Sequence, residues 1–277
     1  YQVYSVIFSK YSRPIPTPVE NLRPAQETCE QCHWPKHFYS EKRKRYDFFT
    51  SDEKNSEYQI SMLIKVGGGS IETGNNDGIH WHMYLANEIY YYPADKTRQI
   101  IPWVKSKSLI TGEETVYKDT SFKFDFNIPP KDMLRKIDCI DCHNRPSHIF
   151  KQPNQTINFL LSAGRIDKKL PSIKNIGVQV LENYVKTRQT AYEDIKNFIW
   201  NYYKENYPET AINEGEAINK AINELYNIYM RNYFPDMKAD WKSFPNNIGH
   251  LYSPGCFRCH DGKHISSTGK VISNDCN

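Results

Sequence analysis

The chain has 277 residues, enough for one large domain or two small ones. Hydrophobic residues make up 39% and the mean hydropathy is -0.72, a modest supply for a conventional core, while aromatics at 14% are abundant. The net charge of +4 argues for no nucleic-acid partner, and no apolar run approaches the ~20 residues of a membrane span. The sharpest basic run, Glu41-Lys42-Arg43-Lys44-Arg45, reads as a solvated face, or alternatively as a patch for anionic groups or a docking partner.

Taken in order, residues 1–28 carry Pro14, Pro16, Pro18 and Pro24, which predict an extended arm rather than a helix. A Cys-rich motif at 29–33 follows, and Trp34-Pro35 ends any helix there. These make a first segment, 1–56. Residues 57–127 predict a small β module. Tyr58, Ile60, Met62, Ile64 and Val66 alternate with Gln59, Ser61 and Lys65 up to the Gly67-Gly68-Gly69 break. Ile79, Trp81, Met83 and Leu85 then alternate with His80, His82 and Tyr84, which reads as a strand carrying both histidines on one face. Short strands are expected at 97–104 and 107–118, around a Thr111-Gly112-Glu113 turn.

The third segment, 128–277, holds a second Cys-rich motif, a helical region over 154–240 and a third motif. Pro171 suits the first turn of a helix running through 187. Thr190-Ala191-Tyr192-Glu193 has the pattern of a capping box, leading a stripe of Tyr192, Ile195, Phe198, Ile199 and Tyr202. Ile218, Ala221, Ile222, Leu225, Ile228 and Tyr229 form a longer stripe. Both stripes read as helix–helix core.

The Cys-rich motifs carry the chemistry. Cys29-Glu30-Gln31-Cys32-His33, Cys139-Ile140-Asp141-Cys142-His143 and Cys256-Phe257-Arg258-Cys259-His260 all read C-x-x-C-H, the attachment signature of c-type haem. Two thiols three positions apart can each bond a vinyl group on one porphyrin edge. The next residue places an imidazole under the ring, where it can hold iron. His is 9 of 277 residues, so chance would put it after all three pairs roughly 3 times in 100,000. The alternatives are a zinc site, which usually takes four ligands from two neighbouring pairs, and a thioredoxin-like C-x-x-C, which does not need the histidine. Haem macrocycles would also supply apolar surface for the many flat side chains, so a small protein core around large cofactors fits this composition better than a conventional core. The fold class expected is α+β: a multihaem cytochrome c with a small β module between haem-binding segments, followed by a helical region.

His33, His143 and His260 are proximal iron ligands by position. Six other histidines could supply the opposite face: His37, His80, His82, His148, His250 and His264. His148, His250 and His264 lie close in sequence to motifs whose near face is already taken, so each is expected to serve another haem. On one strand face His80 and His82 would stand about 7 Å apart, and at least one is expected to be a ligand. His37 ranks last.

A set of segments resembles the NapC/NirT-type membrane-anchored multihaem cytochromes, in a long branch of that family. It comprises Ser12-Arg13-Pro14-Ile15-Pro16-Thr17-Pro18, Leu22-Arg23-Pro24-Ala25, Glu27-Thr28-Cys29 through Trp34-Pro35, Gly78-Ile79-His80-Trp81-His82, Cys142-His143-Asn144-Arg145-Pro146-Ser147-His148, and Gly249-His250 through Gly262. The resemblance implies a chain that takes electrons from quinol and passes them to extracytoplasmic reductases or other cytochromes. It also implies a membrane-associated location on the extracytoplasmic side, the side that covalent haem attachment also implies. The family's membrane helix and early haem motifs are absent from residues 1–277, so an anchor and further haems are expected to precede Tyr1. Three functions follow from the residues: electron relay, a catalytic multihaem reductase of a small oxyanion, and a polymerising scaffold cytochrome.

Cys276 is the remaining cysteine. With the other six committed to haem c, it is expected to open a fourth C-x-x-C-H rather than stand as an exposed thiol. Mass spectrometry of the C-terminal peptide is expected to show a haem thioether on Cys276, or a chain continuing to a second Cys and a His. A native terminus at Asn277 with an unmodified thiol would end the idea.

Overall fold

A computed structural model describes residues 2–14, 41–67, 78–83, 86–143, 149–185 and 187–274. In chain order its elements are α1 (Gln2–Ile7), β1 (Glu41–Phe49), β2 (Glu57–Lys65), a 3-10 turn (Ile79–Met83), β3 (Asn87–Tyr92), β4 (Trp103–Ser108), β5 (Glu114–Asp119) and β6 (Arg135–Lys136). They continue with α2 (Cys139–Cys142), α3 (Pro153–Ser162), α4 (Ile173–Gln179), α5 (Ala191–Asn206), α6 (Pro208–Asn213), α7 (Gly215–Asn232) and β7 (His264–Ser266). The chain is α+β, as expected. No helix among the described residues is long and apolar enough to cross a membrane.

The chain forms two compact units, and they are interleaved rather than consecutive. One comprises Tyr1–Pro16, Arg45–Ser61 and Ile149–Phe244; the other Thr17–Lys44, Met62–His148 and Pro245–Asn277. The segments expected at 1–56, 57–127 and 128–277 therefore do not mark compact bodies. Strand pairing explains the difference, because β6 and β7 come from beyond residue 127 and complete the sheet begun by β3–β5.

The first unit is helical and has a conventional core, correcting the expectation of a protein organised mainly around cofactor surface. Ile157, Ile173, Ile195, Ile199, Ile218, Ile222 and Leu225 are fully buried. The α7 stripe lies inward as expected. On α5 the buried face is Ala191, Ile195, Ile199 and Tyr203, turned slightly from the expected stripe, so that Tyr192 sits at the surface. The Thr190 capping box does not form: Thr190 has helical backbone angles and its hydroxyl donates to Asp194 at 2.8 Å. Pro171 precedes rather than starts α4, whose flanking Ser172 is left-handed (φ 57°). Pro153, in contrast, opens α3, where the missing N–H costs nothing. The excursion Ile149–Phe244 closes on itself, with the rings of Phe150 and Phe244 stacked at 5.6 Å between centroids.

Polar groups bury themselves here in one connected set. The Asn55 amide donates to the Lys168 and Leu170 carbonyls (3.0 and 2.8 Å) and accepts from the Lys174 backbone N–H (2.9 Å). The Lys174 ammonium, 1% exposed, donates to the Asn154 carbonyl (2.8 Å) and to the side chain of Asn158 (2.7 Å).

The second unit is built on a five-stranded sheet in the order β6-β3-β4-β5-β7, with each pairing antiparallel. The expected turn at 111–113 joins β4 to β5, with Gly112 at φ +73°. Ile89, Tyr91, Ile101 and Val104 form its apolar core, with Trp81, Ile137 and Ile272 packed against it. Residues 79–83 are not the expected strand but a 3-10 turn. The cause lies one residue earlier: Gly78 has φ +120°, and a Cβ there would run into the Gly67 carbonyl, so the chain coils instead of extending. The basic residues Lys42, Arg43, Lys44 and Arg45 lie on the exposed half of β1.

Burial holds the Lys174 pKa down at about 7, against 10.5 for an exposed lysine. Between those values the unfolded chain binds one proton more. Stability is therefore expected to rise with pH across that window, by up to ~1.4 kcal/mol per pH unit, and to level off above it. Lys174→Met should abolish the slope, read from denaturant unfolding at a series of pH values; an unchanged slope would place the titration elsewhere.

Candidate functional site

The second and third C-x-x-C-H motifs lie in the sheet-containing unit, and the sheet positions them. Residues Cys139–Cys142 form the single turn α2, which starts with a capping box the sequence reading missed. The Asp138 carboxylate accepts from the Cys139 N–H (2.6 Å), and the Asp141 carboxylate reaches back to the Asp138 N–H (2.8 Å). Because aspartate stands in both positions of the box, the usual Ser/Thr-x-x-Glu signature is lacking.

Asp141 does far more than cap. Its side chain is 2% exposed, and Oδ1 accepts from the Tyr91 hydroxyl (2.8 Å), Arg98 Nη1 (3.0 Å) and Arg135 Nε (3.0 Å). Burial, reinforced by Asp141, drives the Tyr91 phenol far above its ordinary pKa, so it remains a donor. The third motif is tied to the same place. Arg258, an intervening residue of Cys256-Phe257-Arg258-Cys259-His260, donates from Nη2 to the Asp141 carbonyl (2.7 Å) and from Nη1 to the Arg98 carbonyl (3.0 Å). Asn247 adds its N–H to the Cys142 carbonyl (3.1 Å). Gly255, immediately before Cys256, has φ +49°, and a Cβ there would strike the Gly249 carbonyl.

Burial pushes the Cys142 thiol up to about 11 and the Cys259 thiol up to about 12, and in both cases the neighbouring motif's sulfur adds to the rise. No disulfide joins Cys139, Cys142, Cys256 or Cys259.

Four histidines meet in pairs. The rings of His80 and His143 lie 6.4 Å apart and within 9° of parallel. Those of His82 and His260 lie 5.7 Å apart and cross at 81°. The first distance matches the spacing across an intervening metal, and the second is about 0.6 Å shorter. Imidazole nitrogen bonds to such ions are roughly 2 Å, and a ring nitrogen lies about 1.2 Å from its ring centre, giving about 6.3 Å across the ion. The tautomers suit it as well. Nδ1 faces a backbone carbonyl in His80 (Val66, 2.6 Å), His82 (Ile79, 3.0 Å) and His260 (Ser273, 2.6 Å). A carbonyl only accepts, so Nδ1 carries the proton and the lone pair is on Nε2, the arrangement that orients a ligand imidazole. His82 and His260 therefore offer each other no proton at Nε2. Burial, with smaller contributions from His260 and His80, lowers the His82 pKa and keeps its ring neutral.

The other candidate ligands are placed differently. Both ring nitrogens of His264 meet oxygen acceptors, Nδ1 at Asp261 (2.9 Å) and Nε2 at the Ile101 carbonyl (2.7 Å), so the ring ties β7 to the segment that precedes β4. His250 lies flat on Phe257, with centroids 4.0 Å apart. Cys29, Cys32, His33, His37, His148 and Cys276 lie outside the described residues. What sequence reasoning missed is the pair of intervening residues, Asp141 and Arg258. Both stand at positions the motif leaves open, and only the fold shows that they bridge it.

No family model and no solved structure matches the chain. The chain is 44% identical over 276 residues to the cytochrome c-type protein ImcH of Geobacter sulfurreducens; the match covers 100% of this chain and 54% of the relative. It thus spans about half the length of the curated relative it matches.

Replacing Asp141 by Ala removes the shared acceptor of two partly buried guanidinium groups. We expect a loss of roughly 3 kcal/mol in the stability of this unit, measured as an earlier denaturant midpoint; an unshifted midpoint would show that the cluster contributes little. From end to end the chain is homologous to a c-type cytochrome, and haem c is the cofactor that this relationship implies.

Proposed function

We propose that this chain is an electron-relaying portion of a multihaem c-type cytochrome. In this reading it lies outside the cytoplasm, takes electrons from a membrane quinol-linked donor and delivers them to other cytochromes or redox enzymes. The observation that carries the reading is the meeting of two C-x-x-C-H histidines with two further histidines at metal-spanning distances. Haem c supplies a one-electron iron couple when bound.

The chain's own residues do the rest. Cys139 with Cys142, and Cys256 with Cys259, would fix each macrocycle by thioether bonds. His143 and His260 would hold the near faces, with His80 and His82 opposite. Nδ1–H bonds to carbonyls orient the rings of His80, His82 and His260 before any ligand arrives. With two histidines available to hold each iron, a carrier is favoured over a reductase, since a catalytic iron needs an open position. The Arg258–Asp141 tie keeps the two motifs adjacent, and adjacency is what electron hopping requires. The first motif, Cys29-Cys32-His33, would add a third haem. The resemblance to the NapC/NirT-type cytochromes supports the quinol-linked direction.

The isolated protein should keep its haem through denaturation and acid–organic extraction, and its ferric EPR spectrum should contain only low-spin signals. Haem leaving with the solvent would refute covalent attachment. A stoichiometric high-spin haem in the native protein would favour the oxyanion reductase instead.

A further inference from the structure

The segment Ile79-His80-Trp81-His82-Met83 deserves a reading of its own. A 3-10 turn advances about 120° per residue, so three consecutive side chains radiate in three directions. Here the middle one, Trp81, enters the apolar core formed by Ile89, Tyr91, Ile101 and Val104. The flanking rings then diverge, one toward His143 of the second motif and the other toward His260 of the third. On a strand, positions two apart would share a face and could not separate in this way. The backbone holds the turn from both sides. The His80 N–H donates to the Gly67 carbonyl (3.2 Å), and the Trp81 N–H donates to the Gly78 carbonyl (3.0 Å).

We propose that this single turn delivers distal ligands to two different irons, His80 to the haem of Cys139–Cys142 and His82 to the haem of Cys256–Cys259, and that Trp81 is the positioning residue for both. The proposal rests on the haem reading above. Its physical content is coupling. Each imidazole is oriented by its own carbonyl, but both depend on one anchored backbone turn, so displacement of Trp81 moves two ligands together. The pairs also differ in plane angle, 9° against 81°. The two irons are therefore inequivalent and should give separate low-spin EPR signals.

The test uses single variants of the haem-loaded protein, with covalent haem per chain counted by mass in each. His80→Ala should convert one haem equivalent to high spin and raise its potential, and His82→Ala should do the same to a different one. In a Cys139→Ser/Cys142→Ser background, where the second motif carries no haem, His80→Ala should have no further effect while His82→Ala still creates one high-spin haem. Trp81→Ala should disturb both low-spin signals at once, and Trp81→Phe, which keeps a ring in the core, should restore them. The assignment is overturned if His80→Ala acts in the motif-emptied background, or if a folded Trp81→Ala leaves both signals intact. Should Trp81→Ala fail to fold, Trp81→Phe and the two histidine variants decide: loss of the same haem in both histidine variants refutes the shared turn. A chain without covalent haem in any form would instead refute the haem reading itself.

Discussion

A buried carboxylate governs the geometry of the sheet-containing unit. Asp141 occupies a position that the C-x-x-C-H signature leaves unspecified, yet it ties the capping turn, β3 through Tyr91 and β6 through Arg135. A carboxylate out of water is tolerable only when paired and hydrogen-bonded. Two guanidinium groups, a phenol and a backbone N–H meet that requirement here. The main-chain carbonyl of the same residue receives Arg258 from the third motif, so one residue serves both C-x-x-C-H motifs through two different groups.

The C-x-x-C-H motifs were legible in the sequence because they are local. Two thiols and an imidazole at fixed spacing say the same thing whatever surrounds them. The α7 stripe was legible for a similar reason, since a helix buried along one face writes its period plainly. The histidine turn was not. Ile79 to Leu85 has a clean period of two, and the pattern alone predicts a strand. What decided the outcome was the left-handed Gly78 and its close approach to Gly67, a long-range steric fact that hydrophobic alternation does not encode. The capping box at Thr190 failed for a comparable reason, because the Thr190 hydroxyl reached the Asp194 carboxylate instead of a backbone N–H.

The interleaving of the two units was equally hidden. Strands β6 and β7 are two and three residues long, too short to announce themselves, yet they close both edges of the sheet. The same shortness concealed the role of His264. In sequence it looks like a surplus ligand four residues past His260, whereas in the structure it spans from Asp261 to the Ile101 carbonyl.

The stacked rings of Phe150 and Phe244 bear on how the chain assembles. Residues 149–244 separate the second motif from the third, and an unstructured tether of that length would make the two motifs slow to find each other. Closing a flexible ~100-residue loop costs about 2 kcal/mol more than closing one a tenth as long. With its ends clasped, the folded helical unit behaves as a short linker, because its own core already meets the ordering cost of the excursion. The helices thereby raise the effective concentration of one C-x-x-C-H motif near the other. Deleting them in favour of a brief loop should leave the sheet and its two motifs able to pair, whereas loosening the clasp with the helices still present would lengthen the tether again.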